Sequence, residues 1–248
     1  MTVPNYKHIS RSLLFADDLF HFFFDHCLKR LKLILQKYLN ELEVWLSKWR
    51  LKISANKCSY NIYTEFNECK DKLDLKIFGK NIPKQDNPKY LGIHLDHNLN
   101  FKHHIQELKN KCLRKLNFIK ILKSKKWHAK IETKTRIYKS MIRSNIDFAG
   151  PLLENVSPVD KQQLESIQYH SMVQILNAPP MSSSTEMRKK LQLDKITNRT
   201  NALKQNYLAE SLSKNKIMKD LKTEHQQFKL NHSITDNKYT MFNIECSP

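Results

Sequence analysis

The chain has 248 residues, with 43 Lys plus Arg against 24 Asp plus Glu, a formal net charge of +19 at pH 7. That length accommodates one or two domains with a real core, and a positive excess of this size points to a polyanionic partner, nucleic acid first. Three glycines exclude a Gly-rich phosphate loop; no apolar stretch reaches the ~18 residues that span a bilayer, and Asp17 and Asp18 interrupt the only apolar segment near the N-terminus, so neither a transmembrane segment nor a signal peptide is expected.

Leu13 to Phe20 comes first in chain order. Two adjacent carboxylates, Asp17 and Asp18, lie between apolar arms, and Phe22, Phe23 and Phe24 extend the second arm. The arms read as short strands and Ala16-Asp17-Asp18 as the turn of a hairpin, where Asp supports local turns. Such a turn lifts two negative groups together out of an apolar platform. Neighbouring carboxylates resist joint ionisation unless a cation neutralises them. Their hard oxygens suit Mg²⁺ or Mn²⁺, with a phosphate supplying further coordination. Taken alone, an Asp-Asp pair also fits a solvated turn. Phe15-Ala16-Asp17-Asp18, however, resembles the F/Y-A-D-D box of the reverse transcriptases of non-LTR (LINE-type, jockey-like) retrotransposons.

From Asp25 to about Trp49 the pattern is helical, with Leu28, Leu31, Leu35, Leu39, Leu42, Leu46 and Trp49 at three- and four-residue steps. This face is expected to pack under the hairpin. A strand-like run, 59–64, follows Trp49 to Cys58. In the resembled family this region carries a Leu-x-Ile/Leu-x-x-x-Lys segment, and Lys57 matches its lysine; the resemblance implies a cation near the leaving pyrophosphate.

Residues 65–89 are polar, with Pro83 and Pro88 as breakers, and Leu75 to Ile82 reads as a hairpin turning at Gly79-Lys80-Asn81. Lys89 to Asp96 alternates like a strand, with Gly92 marking a close backbone approach. The family carries a comparable Tyr-Leu-Gly-x-x-Leu-Asp segment, which places Tyr90, Leu91 and Gly92 at the primer grip. His94, His97, His103 and His104 cluster without a nearby cysteine and read as structural, not as a zinc site.

Lys102 to Arg143 holds fourteen Lys or Arg against two acids, a net +12. Ile105, Leu108, Cys112, Leu116 and Ile119 form one helical stripe, and Ile131, Ile137, Tyr138, Met141 and Ile142 suggest another, with Trp127 between them. Lys109, Lys111, Arg114, Lys115, Lys120, Lys123, Lys125, Lys126 and Lys130 fall on the other faces or in the linker and are the candidate phosphate contacts. Ser157 with Pro158 reads as a helix start, and Leu164, Ile167, Met172, Val173 and Ile175 as that helix's apolar face. The tract 178–185 is a linker, a short helix from Glu186 to Leu191 and a longer one from Thr197 to about Leu212 follow, and the tail beyond Ser213 is expected to be loosely ordered.

The fold expected is α+β. A partial polymerase palm (hairpin, helix, short strands) occupies 1–100, a basic helical thumb 101–178 and a helical extension with its tail 179–248. The resemblance implies an RNA-directed DNA polymerase with Asp17 and Asp18 as metal-binding catalytic residues, Mg²⁺ or Mn²⁺ as cofactor, and an RNA template, a DNA primer and deoxynucleoside triphosphates as partners. Only Met1 to Ser12 precede the box, whereas family polymerases carry an upstream metal-binding aspartate and a fingers subdomain. The chain is therefore expected to be an incomplete, inactive fragment. The alternative is a non-catalytic nucleic-acid-binding protein using the basic helices. Five cysteines (27, 58, 69, 112 and 246) with no C-x-x-C spacing fit a reducing compartment, so an intracellular protein of nucleus or cytoplasm, not secreted, is expected; the oligomeric state is not legible.

Overall fold

The computed structural model describes residues 10–25, 27–51, 53–63, 73–122, 129–153, 156–216 and 218–223. Thr64, Lys123, Lys125, Lys126, Trp127 and the tail from 224 lie outside the described residues. The chain divides into two compact units, Met1–His104 and Ile105–Pro248. Mixed helices and small antiparallel strand pairs make the fold compatible with the α+β class.

The described residues of the first unit form three two-stranded antiparallel sheets and one long helix. Strands β1 (Ser10–Phe15) and β2 (Asp18–Phe23) pair from Ser10↔Phe23 to Phe15↔Asp18, leaving a two-residue turn, Ala16-Asp17. Because side chains alternate across a strand, Asp18, Phe20 and Phe22 share one face of β2 and Leu19, His21 and Phe23 the other. The second face packs on helix α1 (Leu28–Lys48). The His21 ring lies 4.1 Å and the Phe23 ring 5.3 Å from that of Tyr38. Tyr38, Leu42 and Leu46 are buried with Ala55, Leu73, Leu75, Ile77 and Ile82. The leucine stripe thus packs under the hairpin as its spacing predicts, with two differences. Tyr38 joins it, and Trp49, one residue past the helix end, stays exposed.

Strands β3 (Lys76–Ile77) and β4 (Lys80–Asn81) turn at Phe78-Gly79, one step earlier than the expected Gly79-Lys80-Asn81. Both turn residues have positive φ, 48° and 70°, the requirement of a two-residue type I′ hairpin. Two side chains of α1 clamp this hairpin: Gln36 pairs with both backbone groups of Lys76, at 2.9 and 3.0 Å, and the Glu43 carboxylate accepts from the Phe78 N–H at 2.5 Å. The strand expected over 59–64 does not form through Tyr63. Tyr60 makes a single bridge to Lys84, bounded by Tyr60 N–H to Pro83 O and Gln85 N–H to Tyr60 O. Pro83 has no N–H to extend the ladder.

Strands β5 (Lys89–Tyr90) and β6 (Ile93–His94) form a hairpin, where the alternation of the run by itself reads as a strand. Leu91 and Gly92, at φ 45° and 86°, make the turn. Gly92 takes this left-handed conformation without the strain a side chain would add.

The second unit is helical. Helix α2 (Lys102–Leu122) buries Ile105, Leu108, Cys112, Leu116 and Ile119, the stripe its periodicity predicts. Helix α3 (Ile131–Ile137) runs through a π-helical turn (Tyr138–Arg143) into α4 (Ser144–Phe148). Tyr138, Ile142 and Ile146 are buried, whereas Ile131 is exposed. Helix α5 (Pro158–Leu176) begins as expected: the Ser157 hydroxyl accepts from the Asp160 N–H at 3.2 Å, and Pro158 occupies the first turn. Helices α6 (Ser184–Leu191) and α7 (Ile196–Lys214) follow, and residues 218–223 are again helical where a loosely ordered tail was expected beyond Ser213. At its centre the Tyr138 hydroxyl donates to the Gln168 side-chain oxygen at 3.0 Å, and the Gln168 amide donates to Asp194 O at 2.9 Å. Gln168 is fully buried, so this chain of bonds satisfies polar atoms from three segments.

Candidate metal and nucleic-acid sites

In the first unit the β1–β2 hairpin presents Asp17 in its turn and Asp18 at the start of β2, both exposed. Ala16, not a glycine, adopts the left-handed φ of 53° that the turn requires. That conformation costs a non-glycine residue about 1 kcal/mol, sustained here by the packed face of the hairpin. Among the described residues neither aspartate makes an ion pair.

Tyr90 of the β5–β6 hairpin stacks against this one, its ring centroid 4.7 Å from that of Phe20. Phe20 is two residues from Asp18 on the same face of β2. Burial, followed by the negative charge of Asp18, pushes the Tyr90 phenol pKa upward. The structure therefore brings together Asp17, Asp18 and Tyr90, while Leu91 and Gly92 lie exposed at the tip of the β5–β6 hairpin.

Lys57 ends a 3₁₀ turn (Ala55–Lys57) and is exposed. Among the described residues it makes no ion pair or side-chain hydrogen bond to Asp17 or Asp18. His94 packs edge-on against His103, ring centroids 4.9 Å apart, and Nδ1 of His97 lies 2.8 Å from Ile62 O. Asp96 of the Tyr-Leu-Gly segment has a structural task that the motif alone did not reveal. One of its oxygens accepts from the Asn100 N–H at 2.8 Å and the other from the Lys102 N–H at 3.1 Å. It thereby satisfies a donor at the start of α2 that no helix carbonyl can reach.

Two adjacent exposed carboxylates offer hard oxygen donors to a divalent ion, but only part of a coordination shell. Among the described residues no group of three or more His, Cys, Asp or Glu converges as metal ligands would. Asp17 and Asp18 thus fit Mg²⁺ or Mn²⁺ where further oxygens come from a phosphate, water or another acid.

The basic residues of the α2–α4 region differ in exposure. Lys111, Arg114, Lys120 and Lys130 are exposed. Lys109 and Lys115 are half-buried: Lys109 reaches the Gln163 side-chain oxygen at 3.5 Å, and Lys115 donates to Met141 O at 3.0 Å. Lys134 and Arg143 are buried outright.

Lys115 engages the π turn. A π turn shifts the backbone hydrogen-bond pattern and leaves carbonyls in need of donors. Met141 O receives Lys115 Nζ and Asn145 Nδ2, Ser140 O receives the Ser144 hydroxyl, and the Cys112 thiol lies 3.9 Å from Ile142 O. Burial pushes that thiol up to about 11, so it stays protonated.

These features define a chain similar to RNA-directed DNA polymerases of mobile elements. It is 23% identical over 193 residues to the RNA-directed DNA polymerase from mobile element jockey of Drosophila funebris, covering 78% of this chain and 21% of that protein. It is 22% identical over 198 residues to the probable RNA-directed DNA polymerase from transposon BS of Drosophila melanogaster, covering 78% of this chain and 22% of that protein. The jockey polymerase of Drosophila melanogaster is 24% identical over 174 residues, covering 70% and 19%. The chain spans about a fifth of the length of the curated relatives it matches. No family model matches it, and no solved structure does.

Proposed function

We propose that the chain is the carboxylate-hairpin and helical duplex-holding part of a reverse transcriptase of the non-LTR retrotransposon type. The observation that carries this reading is the pair of stacked hairpins: one presents Asp17 and Asp18 at its tip, and the other lays Tyr90 against Phe20 beside them. In the parent enzyme Asp17 and Asp18 would hold Mg²⁺ or Mn²⁺, whose charge would offset that of an incoming deoxynucleoside triphosphate during transfer to the primer. The residues of this chain hold and orient. The turn keeps both carboxylates exposed and adjacent, Tyr90, Leu91 and Gly92 face the primer end, and Lys57 supplies positive charge toward the leaving pyrophosphate. The exposed cations Lys111, Arg114, Lys120 and Lys130, with Lys123, Lys125 and Lys126, bind the sugar-phosphate backbone of the RNA template and DNA primer without reading sequence.

By itself this polypeptide is proposed to be inactive, because Asp17 and Asp18 alone supply only part of the acid set that two-metal transfer needs. The test is primer extension by the purified 248-residue chain on an RNA template with Mg²⁺ or Mn²⁺. No incorporation is expected. Incorporation that disappears in Asp17→Ala would overturn the inactivity while supporting the assignment of the acid.

The second reading is a non-catalytic nucleic-acid-binding protein, and the +12 segment favours it independently of the hairpin. It shares steeply salt-dependent binding, retained in Asp17→Ala and Asp18→Ala, but gives these acids no role.

A further inference from the structure

We propose that Phe118 is a stacking platform for an unpaired base, presented on the outward face of α2 beside cations that hold the neighbouring phosphates. This rests on the nucleic-acid reading above and adds, beside its phosphate contacts, a site for an unpaired nucleotide.

The inner face of α2 is occupied by Ile105, Leu108, Cys112, Leu116 and Ile119. Lys111, Arg114, Phe118 and Ile121 follow one another at steps of three and four and therefore share a stripe away from that core. Phe118 is 46% exposed and Ile121 59%. Single apolar residues at a surface are ordinary. A phenylalanine in a segment of net +12, one turn from an exposed arginine, is a different case. Among the described residues no aromatic ring packs on Phe118.

At a rise of about 1.5 Å per residue the ring stands roughly 6 Å along the helix from Arg114 and roughly 10 Å from Lys111. A nucleotide whose phosphate meets those cations can lay its base on the ring. In an intact duplex both faces of each base are already stacked, so a ring on a convex helix finds no free π-surface. An unpaired nucleotide offers one, and every base does, which makes the contact tolerant of sequence. Charge complementarity selects nucleic acid as the occupant: the stripe places two cations beside its two apolar side chains.

The experiment measures binding of the full chain to a single-stranded oligonucleotide carrying 2-aminopurine and to a blunt duplex of the same length. Phe118→Ala is expected to weaken single-strand binding about tenfold, to abolish quenching of the 2-aminopurine, and to leave both duplex affinity and the salt dependence unchanged. Phe118→Trp is expected to restore affinity and quenching. Wild-type affinity of Phe118→Ala for the single strand would overturn the proposal. So would equal losses on single strand and duplex, with no rescue by Phe118→Trp, since that marks a structural role. If Phe118→Ala disperses a self-associated species while oligonucleotide binding persists, a second copy covers this face and the proposal falls. Failure of the wild-type chain to bind either oligonucleotide removes the nucleic-acid reading itself.

Discussion

Replacing Lys111 and Arg114 together by glutamine tests how the basic residues divide between binding and structure. Both side chains are exposed, whereas Lys115 on the same helix is half-buried and donates to Met141 O at 3.0 Å. Each phosphate neutralised on duplex DNA contributes about 0.9 to the slope of log affinity against log salt. If both residues meet phosphates, the double substitution lowers the slope by roughly 1.8. Lys115→Gln should leave the slope unchanged but destabilise the helical unit by about 1.5 kcal/mol, the low end for a lost hydrogen bond from a charged donor. That low end applies because Asn145 Nδ2 still reaches the same carbonyl. The assay is fluorescence anisotropy of a labelled duplex over ~50 to ~200 mM salt, with urea unfolding of each variant. An equal slope change for Lys115→Gln and the exposed pair would refute the division by burial.

Other outcomes follow from single interactions. Gln168→Ala leaves the Tyr138 hydroxyl and Asp194 O without a partner inside a packed core. It should destabilise by about 3 kcal/mol or more in urea unfolding, against about 1 kcal/mol for Tyr138→Phe. Asp96→Ala removes both acceptors at the start of α2, and a loss of about 1 kcal/mol is expected, read as a lower urea midpoint. His21 is held neutral by burial, its pKa lowered from 6.5 to about 4. The unfolded state therefore binds more protons between those values. Stability from this group is complete above about pH 6.5 and falls as pH drops toward about 4, by up to about 3 kcal/mol. His21→Phe should flatten this part of the stability-pH profile, and an unchanged profile would count against the burial.

Much of this architecture was legible in the chain because periodicity and capping are local. The stripes of α1 and α2, the Ser157-Pro158 start and the paired-acid hairpin all follow from spacing. The departures have tertiary causes. Phe78 and Leu91 take positive φ although neither is a glycine or asparagine, so the two-residue turns depended on packing and on the Gln36 and Glu43 clamp. The run 59–64 alternates like a strand, but its partner carries Pro83. Tyr-Lys-Ser-Met-Ile-Arg contains no helix breaker; its π turn is met by donors from Lys115, Asn145, Ser144 and Cys112, which no local pattern reveals. Phe118 reads as another helix hydrophobe until its exposure is seen. For the candidate site, the acids and Tyr90 were marked by motif, while the Phe20–Tyr90 stack that joins them and the capping role of Asp96 required the fold.

The central claim is that Asp17 and Asp18 form part of a divalent-cation cradle. Titration of the purified chain with Mn²⁺, followed by electron paramagnetic resonance, tests it most directly. The wild-type chain should bind an ion that is lost in the Asp17→Asn, Asp18→Asn double variant, with the fold intact by circular dichroism. Undiminished Mn²⁺ binding by that variant would contradict it.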